Sequence, residues 1–225
     1  MNRNVALTAL GLIALAALIS LAAVLVILWL AWASSPQAPA PAENELPVLF
    51  EAPAFTLTNT EGEPVSDDAF EGRVWVANFI FTRCRSICPI LTPRMAALQE
   101  DLAEMPGGES VRLVSVSVDP ANDTPEVLAE YAEQHGADPE RWTFLTEERS
   151  TLWPLIEDGF KLPVGEMASN PAMPILHSGK LVLVDARGRI RGYYEGVGPE
   201  SEQDLRQLRR DIASLLEEAG QPAGA

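Results

Sequence analysis

No charged residue lies between Arg3 and Glu43, and from Val5 to Ala33 the chain is an apolar run of Leu, Ala, Ile and Val in which only Thr8 and Ser20 are mildly polar. A helix built from it has no face to turn toward water, which excludes a core helix of an ordinary globular domain. A bilayer-spanning helix needs about 20 apolar residues, whereas the core of a secretory signal needs only about 7–15. The length therefore predicts an N-terminal transmembrane anchor over residues 1–33, with Trp29 and Trp32 at interfacial depth. Ala31-Trp32-Ala33 before Ser34 has the small-residue pattern of a cleavage site; the length of the apolar core decides for a retained anchor. Arg3 and the terminal amine precede the run, and the next basic residue is Arg73. The positive-inside rule then predicts a single-pass protein of the cell (inner) membrane. Its N-terminus is cytoplasmic and its remainder lies on the periplasmic, extracytoplasmic side.

All 32 acidic residues and 15 of the 16 basic ones follow this run, and the whole chain carries −16. So acidic a surface repels a phosphate backbone and excludes nucleic acid as a partner. Two cysteines in 225 residues exclude a disulfide-rich scaffold. Residues 34–47, with Pro36, Pro39, Pro41 and Pro47, read as a stiff tether. Residues 48–225 are long enough for one domain with its own core.

Within that domain, the continuous apolar stretch Arg73 to Phe81 has the character of a strand covered on both faces. Leu91 to Glu104 has helical spacing and stops at Pro106-Gly107-Gly108. Val111–Val118 reads as a strand, Thr124–His135 as a helix, Trp142–Thr146 as a short strand and Ser150–Asp158 as a helix. A hairpin over Gly179–Asp185 and Arg189–Glu195 and a closing helix Glu200–Ala219 follow. This order is that of an α/β thioredoxin-like sandwich, a central mixed sheet flanked by helices.

The chemistry lies at the end of the first core strand, in Phe81-Thr82-Arg83-Cys84-Arg85-Ser86-Ile87-Cys88-Pro89. Open α/β sheets place their sites beyond the carboxyl ends of strands. Three intervening residues keep Cys84 and Cys88 close, and a bridge between them would close too small a loop to stabilise much. That favours a redox or metal role over a plain structural disulfide. Redox sites of the thioredoxin type are C-x2-C, so the extra residue favours ligation. Arg83, Arg85 and a helix start are expected to stabilise thiolate. That helix begins either at Pro89 or, capped by Thr92, at Pro93.

Of the two histidines, His135 ends a polar helix and reads as a dipole-favoured cation. His177 follows the unpatterned stretch Asn170–Leu176, read as a loop, and stands just before the hairpin, where a scaffolded loop can carry a ligand. Two thiolates and an imidazole suit copper, Cu(I) above all, better than a closed zinc site. Met173 could reach the same site but reads as packing. Asp123-Thr-Pro-Glu126 has capping-box spacing and Asp119-Pro120 favours a turn, so both aspartates read as structural.

At these residues the chain resembles the Sco/SenC family of membrane-tethered, thioredoxin-like proteins. The segment from Phe81 through Cys84 to Cys88-Pro89 is similar to that family's C-x3-C-P motif. Ser117 to Pro125 is similar to its S-V-D-P-x-x-D-T-P, Trp142–Thr146 to a family strand, and His177-Ser178 to its H-S ahead of a hairpin. The resemblance implies that Cys84, Cys88 and His177 are the three ligands of a copper ion, Cu(I) or Cu(II). It implies a metallochaperone that delivers copper to the dinuclear copper site of a terminal (cytochrome c) oxidase subunit, its transient partner. A copper donor and a thiol reductant in the same compartment are implied as well. The alternative is a thiol–disulfide oxidoreductase in which Cys84 and Cys88 are catalytic and reduce the cysteines of that subunit or of another extracytoplasmic target.

Overall fold

The structure is a computed structural model that describes residues 20–30, 46–167 and 174–220. Residues 20–30 are helical (α1), and among the described residues no helix is long and apolar enough to cross a membrane. Most of the Val5–Ala33 run, most of the tether and Met173 lie outside the described residues.

Residues 44–225 form one compact unit. Its centre is a six-stranded mixed sheet of β1 (Phe50–Glu51), β4 (Trp75–Ile80), β5 (Arg112–Ser117), β6 (Trp142–Leu145), β9 (Lys180–Val184) and β10 (Arg189–Glu195), in the order β1-β10-β9-β4-β5-β6. β4, β5 and β6 run parallel, with Phe79 opposite Val116 and Ser115 opposite Phe144. β9 lies antiparallel on the other side of β4, with Val76 opposite Leu183. Every residue of β4 is buried, as the unbroken apolar stretch requires. Two small antiparallel pairs lie outside this sheet: β2 (Thr56–Thr58) with β3 (Pro64–Ser66), and β7 (Val164–Glu166) with β8 (Ile175–His177).

The helices are α2 (Cys88–Glu104), α3 (Pro125–Gln134), α4 (Arg149–Pro154) and α5 (Ser201–Gly220). α2 begins earlier than its apolar spacing indicates and holds both Pro89, in its first turn, and Pro93. Pro89 has no N–H to leave unpaired there, whereas Pro93 removes the bond to the Pro89 carbonyl. The cap of α3 is Thr124, which accepts from the Val127 N–H at 3.4 Å, and not Asp123. The expected helix Ser150–Asp158 is divided at Pro154. Beyond it, Leu155–Gly159 forms a wider turn in which the Phe160 N–H donates to the Leu155 carbonyl.

Buried polar groups inside the sheet are bonded in chains. The Trp142 indole donates to Ser115 Oγ at 2.8 Å, and the Ser115 hydroxyl donates to Asn78 Oδ1 at 2.6 Å. At the hairpin, Asp185 is buried between Arg189 and Arg191, each 2.7 Å from Oδ2. Buried Arg191 also donates to the carbonyls of Leu46 and Pro47, fastening the start of the domain to β10. Burial alone would raise the Asp185 pKa, but the hydrogen bonds from Arg189 and Arg191 outweigh it and hold the carboxyl below its ordinary value.

A carboxyl with a depressed folded pKa contributes stability that is complete above its unfolded pKa, about 3.9. That contribution is lost as pH falls through the folded value. Asp185→Asn is therefore expected to be less stable than wild type at pH 7, and the difference should shrink on acidification below about pH 4. Arg191→Leu, which leaves a buried carboxylate short of a partner, is expected to cost about 3–5 kcal/mol. Urea unfolding of the three proteins between pH 3 and pH 7 measures both.

Candidate metal centre

β4 ends at Ile80, and the chain turns at once: the Cys84 N–H donates to the Phe81 carbonyl at 3.1 Å. Arg85, Ser86 and Ile87 complete the turn, and α2 begins at Cys88 without a side-chain cap. The first N–H of α2, that of Cys88, is directed at the Cys84 sulfur, at the helix end whose field favours an anion. His177 arrives from the other side of β4. It is the last residue of β8, paired with Val164, and not part of a loop; a single bend through Ser178-Gly179 leads from it into β9, the neighbour of β4. Three residues are too few to show a strand period, which is why the sequence pattern reads as a loop.

Cys88 Sγ stands 3.7 Å from His177 Nε2. The ligand atoms of Cys84, Cys88 and His177 all lie within 4.8 Å of one another, and all three residues are buried. His177 Nδ1 is 3.1 Å from the Ser178 carbonyl. A carbonyl only accepts, so Nδ1 carries a proton, and Nε2 is the ring nitrogen that faces the sulfurs, the one left for a metal. Phe81 closes one side, its ring edge-on to the imidazole at 5.4 Å between centroids. The hairpin can approach this closely because Gly179 and Gly196 carry no side chain: a Cβ at Gly196 would sit 2.3 Å from Leu91 Cδ1 of α2 and 2.5 Å from the Gly179 carbonyl oxygen.

The two thiols are unlike. A hydrogen bond from Cys88 holds the Cys84 thiol well below the ordinary thiol range against the opposing effect of burial, with His177 and the Ser86 hydroxyl helping. Cys88 is pushed up, because it donates to Cys84, is buried and faces the Cys84 charge. Both are free thiols. The expected role of Arg83 beside the sulfur is not what the geometry assigns it: its guanidinium pairs with Asp119 at 3.0 Å.

Asp119 and Asp123 brace the loop that carries Cys84 and are not among the three converging donors. Asp123 is fully buried, and its carboxylate accepts from the Thr82 hydroxyl at 2.6 Å, the Thr82 N–H at 3.3 Å and the Ser117 hydroxyl at 2.6 Å. It thereby ties the ends of β4 and β5 together two residues before Cys84. The capping-box spacing concealed this role; the one signal in the sequence is that Thr82 and Asp123 follow the ends of two strands that prove to be neighbours, β4 at Ile80 and β5 at Ser117. His135 is not in the cluster. It packs on Tyr131 at 4.5 Å between centroids, and burial lowers its pKa, so it is less of a cation than its place at a helix end indicates.

Two sulfurs and an imidazole nitrogen, converging and buried, form a soft three-donor set for a copper-like ion, and the same two sulfurs are placed for thiol exchange. Comparison with known proteins leads to the same place. The SCO1/SenC family matches residues 46–216. The chain is 33% identical over 160 residues to the SCO1 protein homolog of Bacillus subtilis, covering 71% of this chain and 81% of that one. It is 30% identical over 143 residues to a Stutzerimonas stutzeri relative named for binding copper, covering 63% and 67%. Among solved structures, BsSco is described as a member of the Sco family of cytochrome c oxidase assembly proteins with a disulfide switch. It superimposes with a TM-score of 0.66 at 31% identity, over 77% of this chain and 98% of that one. With the match running from the first residues of the domain to its closing helix, this chain belongs to the SCO1/SenC family.

Proposed function

We propose that this protein is a copper metallochaperone in the assembly of a terminal oxidase. Cys84, Cys88 and His177 hold the ion and pass it to the dinuclear copper site of a cytochrome c oxidase subunit. The observation that carries this is the convergence of the three side chains within 4.8 Å with Nε2 of the imidazole turned toward the sulfurs. The Stutzerimonas relative named for copper and BsSco, described as belonging to a family of oxidase assembly proteins, support the ion and the process. Transfer runs by ligand exchange, in which an incoming thiolate replaces one protein donor at a time and the metal keeps its electrons. The uncharged run at the N-terminus supports a membrane anchor with the domain on the extracytoplasmic side. Protease added outside spheroplasts is then expected to release the domain by cutting in the Pro-rich tether; full protection of the domain would exclude that topology.

A second reading, thiol–disulfide exchange, is favoured by the inequality of the two sulfurs. Cys84 has the character of an attacking thiolate and Cys88 that of a resolving thiol. At neutral pH and without metal, iodoacetamide is expected to label Cys84 before Cys88, and copper to protect both; mass spectrometry of the two peptides reads this.

His177 separates the readings. Cys84→Ser or Cys88→Ser is expected to abolish tight copper binding, because each removes a soft anionic donor. His177→Ala should weaken binding by about tenfold or more while the Cys84–Cys88 couple still cycles. A His177→Ala strain should lose copper-oxidase activity as a deletion strain does. Normal oxidase activity in that strain, together with inactive Cys mutants, would leave the oxidoreductase reading in place of the chaperone.

A further inference from the structure

Of the three candidate ligands Cys84 is the most exposed, at 7%, and it borders an open cleft whose described wall is Thr82, Arg83, Cys84, Arg85 and Pro174. Cys88 and His177 stand behind it, each less than 5% exposed. A partner that exchanges with this centre must therefore meet Cys84 first, through that cleft. Two of the five wall residues are arginines and none is acidic, in a chain with twice as many acidic as basic residues.

The two arginines differ in a way that matters. Arg83 is held by Asp119, yet its side chain is 60% exposed while that of Asp119 is only 4% exposed. The carboxylate lies behind the guanidinium and is further occupied by the Asn122 amide, at 3.0 and 2.9 Å. What reaches solvent is the cation, fixed in direction. Arg85 is exposed and has no ion-pair partner among the described residues. The geometry pairs neither guanidinium with the Cys84 sulfur: Arg83 donates to Asp119, and the Cys84 sulfur meets Ser86. The arginines are thus left over from the chemistry of the sulfur itself.

We propose that Arg83 and Arg85 are a docking clamp for an acidic protein segment: carboxylates beside the partner's own cysteine pair settle on the two guanidiniums and bring a partner sulfur to Cys84. The chain's net negative charge disfavours such a partner at large, and two cations at the mouth of the centre favour its approach there, which gives orientation as well as speed. This rests on the proposed exchange at Cys84 and names the chemistry of the partner that the exchange requires.

The test uses the reduced, metal-free protein and three synthetic peptides, each with a C-x3-C disulfide flanked by Glu, Ser or Lys. The Cys84 thiolate attacks the peptide disulfide to form a mixed disulfide and release one peptide thiolate. Cys88 then attacks the Cys84 sulfur, giving the Cys84–Cys88 disulfide and the second peptide thiolate, which takes the Cys88 proton. Two electrons pass from protein to peptide, and the peptide thiols are followed by alkylation and mass spectrometry. At low ionic strength the Glu peptide is expected to react about tenfold faster than the Lys peptide, the gap closing as salt rises. Arg85→Glu should reverse that order while leaving the Ser peptide's rate unchanged, and Arg83→Gln should narrow it. Arg206→Glu, an equal charge change on α5, should do neither. Equal, salt-independent rates for the Glu and Lys peptides, or no reaction with any of them, would overturn the clamp. Copper transfer to the reduced peptides is scored separately: its absence alongside a charge-ordered exchange would sink the chaperone reading and leave the clamp standing.

Discussion

Everything at this centre depends on the burial of β4 between two neighbours of opposite direction. Its parallel pairing with β5 fixes where the strand ends, and so where the chain must turn into Cys84 and Cys88. Its antiparallel pairing with β9 fixes where the chain enters on the far side, and so where His177 stands. Thiols and imidazole belong to opposite halves of the domain, yet one strand determines both positions. A slip of one residue in either pairing would exchange the two packed faces of a strand whose every side chain is buried, so the core enforces the register that the ligands need.

Around that strand, polar groups do the fine positioning. Asp123 binds the ends of β4 and β5 through Thr82 and Ser117, and Ser117 Oγ in turn accepts from the Asp119 N–H at 3.0 Å. Burial raises the pKa of Asp123, and its three hydrogen bonds oppose that rise. A buried carboxylate so engaged fixes its neighbours more tightly than apolar packing, because each misplaced bond leaves a polar group without water or a partner. Thr92 and Tyr131, joined at 2.7 Å between hydroxyl oxygens, tie α2 to α3 on the flank.

What the sequence disclosed and concealed follows one rule. Features carried by long patterns were legible: the fully buried β4, β5, the hairpin, the closing helix and the C-x3-C itself. The pairing of His177 with the two cysteines was legible because the chain has only two histidines and one of them ends a polar helix. Features made by two or three residues finding each other in space were not. β8 is too short for periodicity, Asp123 looks like a cap because its spacing to Glu126 fits one, and the start of α2 is masked by Pro93, whose cost is met by packing. The partner of Arg83 likewise depends on Asp119 being folded beneath it, which no local spacing reports.

Metal and chain depend on each other through one contact. Cys88 and His177 are 89 positions apart, yet their ligand atoms are neighbours. An ion held by both closes a loop through most of the domain, whereas in the unfolded chain only the two nearby thiols can gather around it. The loaded protein is therefore clasped, its folded state favoured over any opened one in proportion to the affinity that the histidine adds. Giving up the ion unfastens the clasp. An acceptor that drew the ion away would compete with the cohesion of the fold as well as with three donor atoms, so an ion at this centre is held most firmly when the domain is whole.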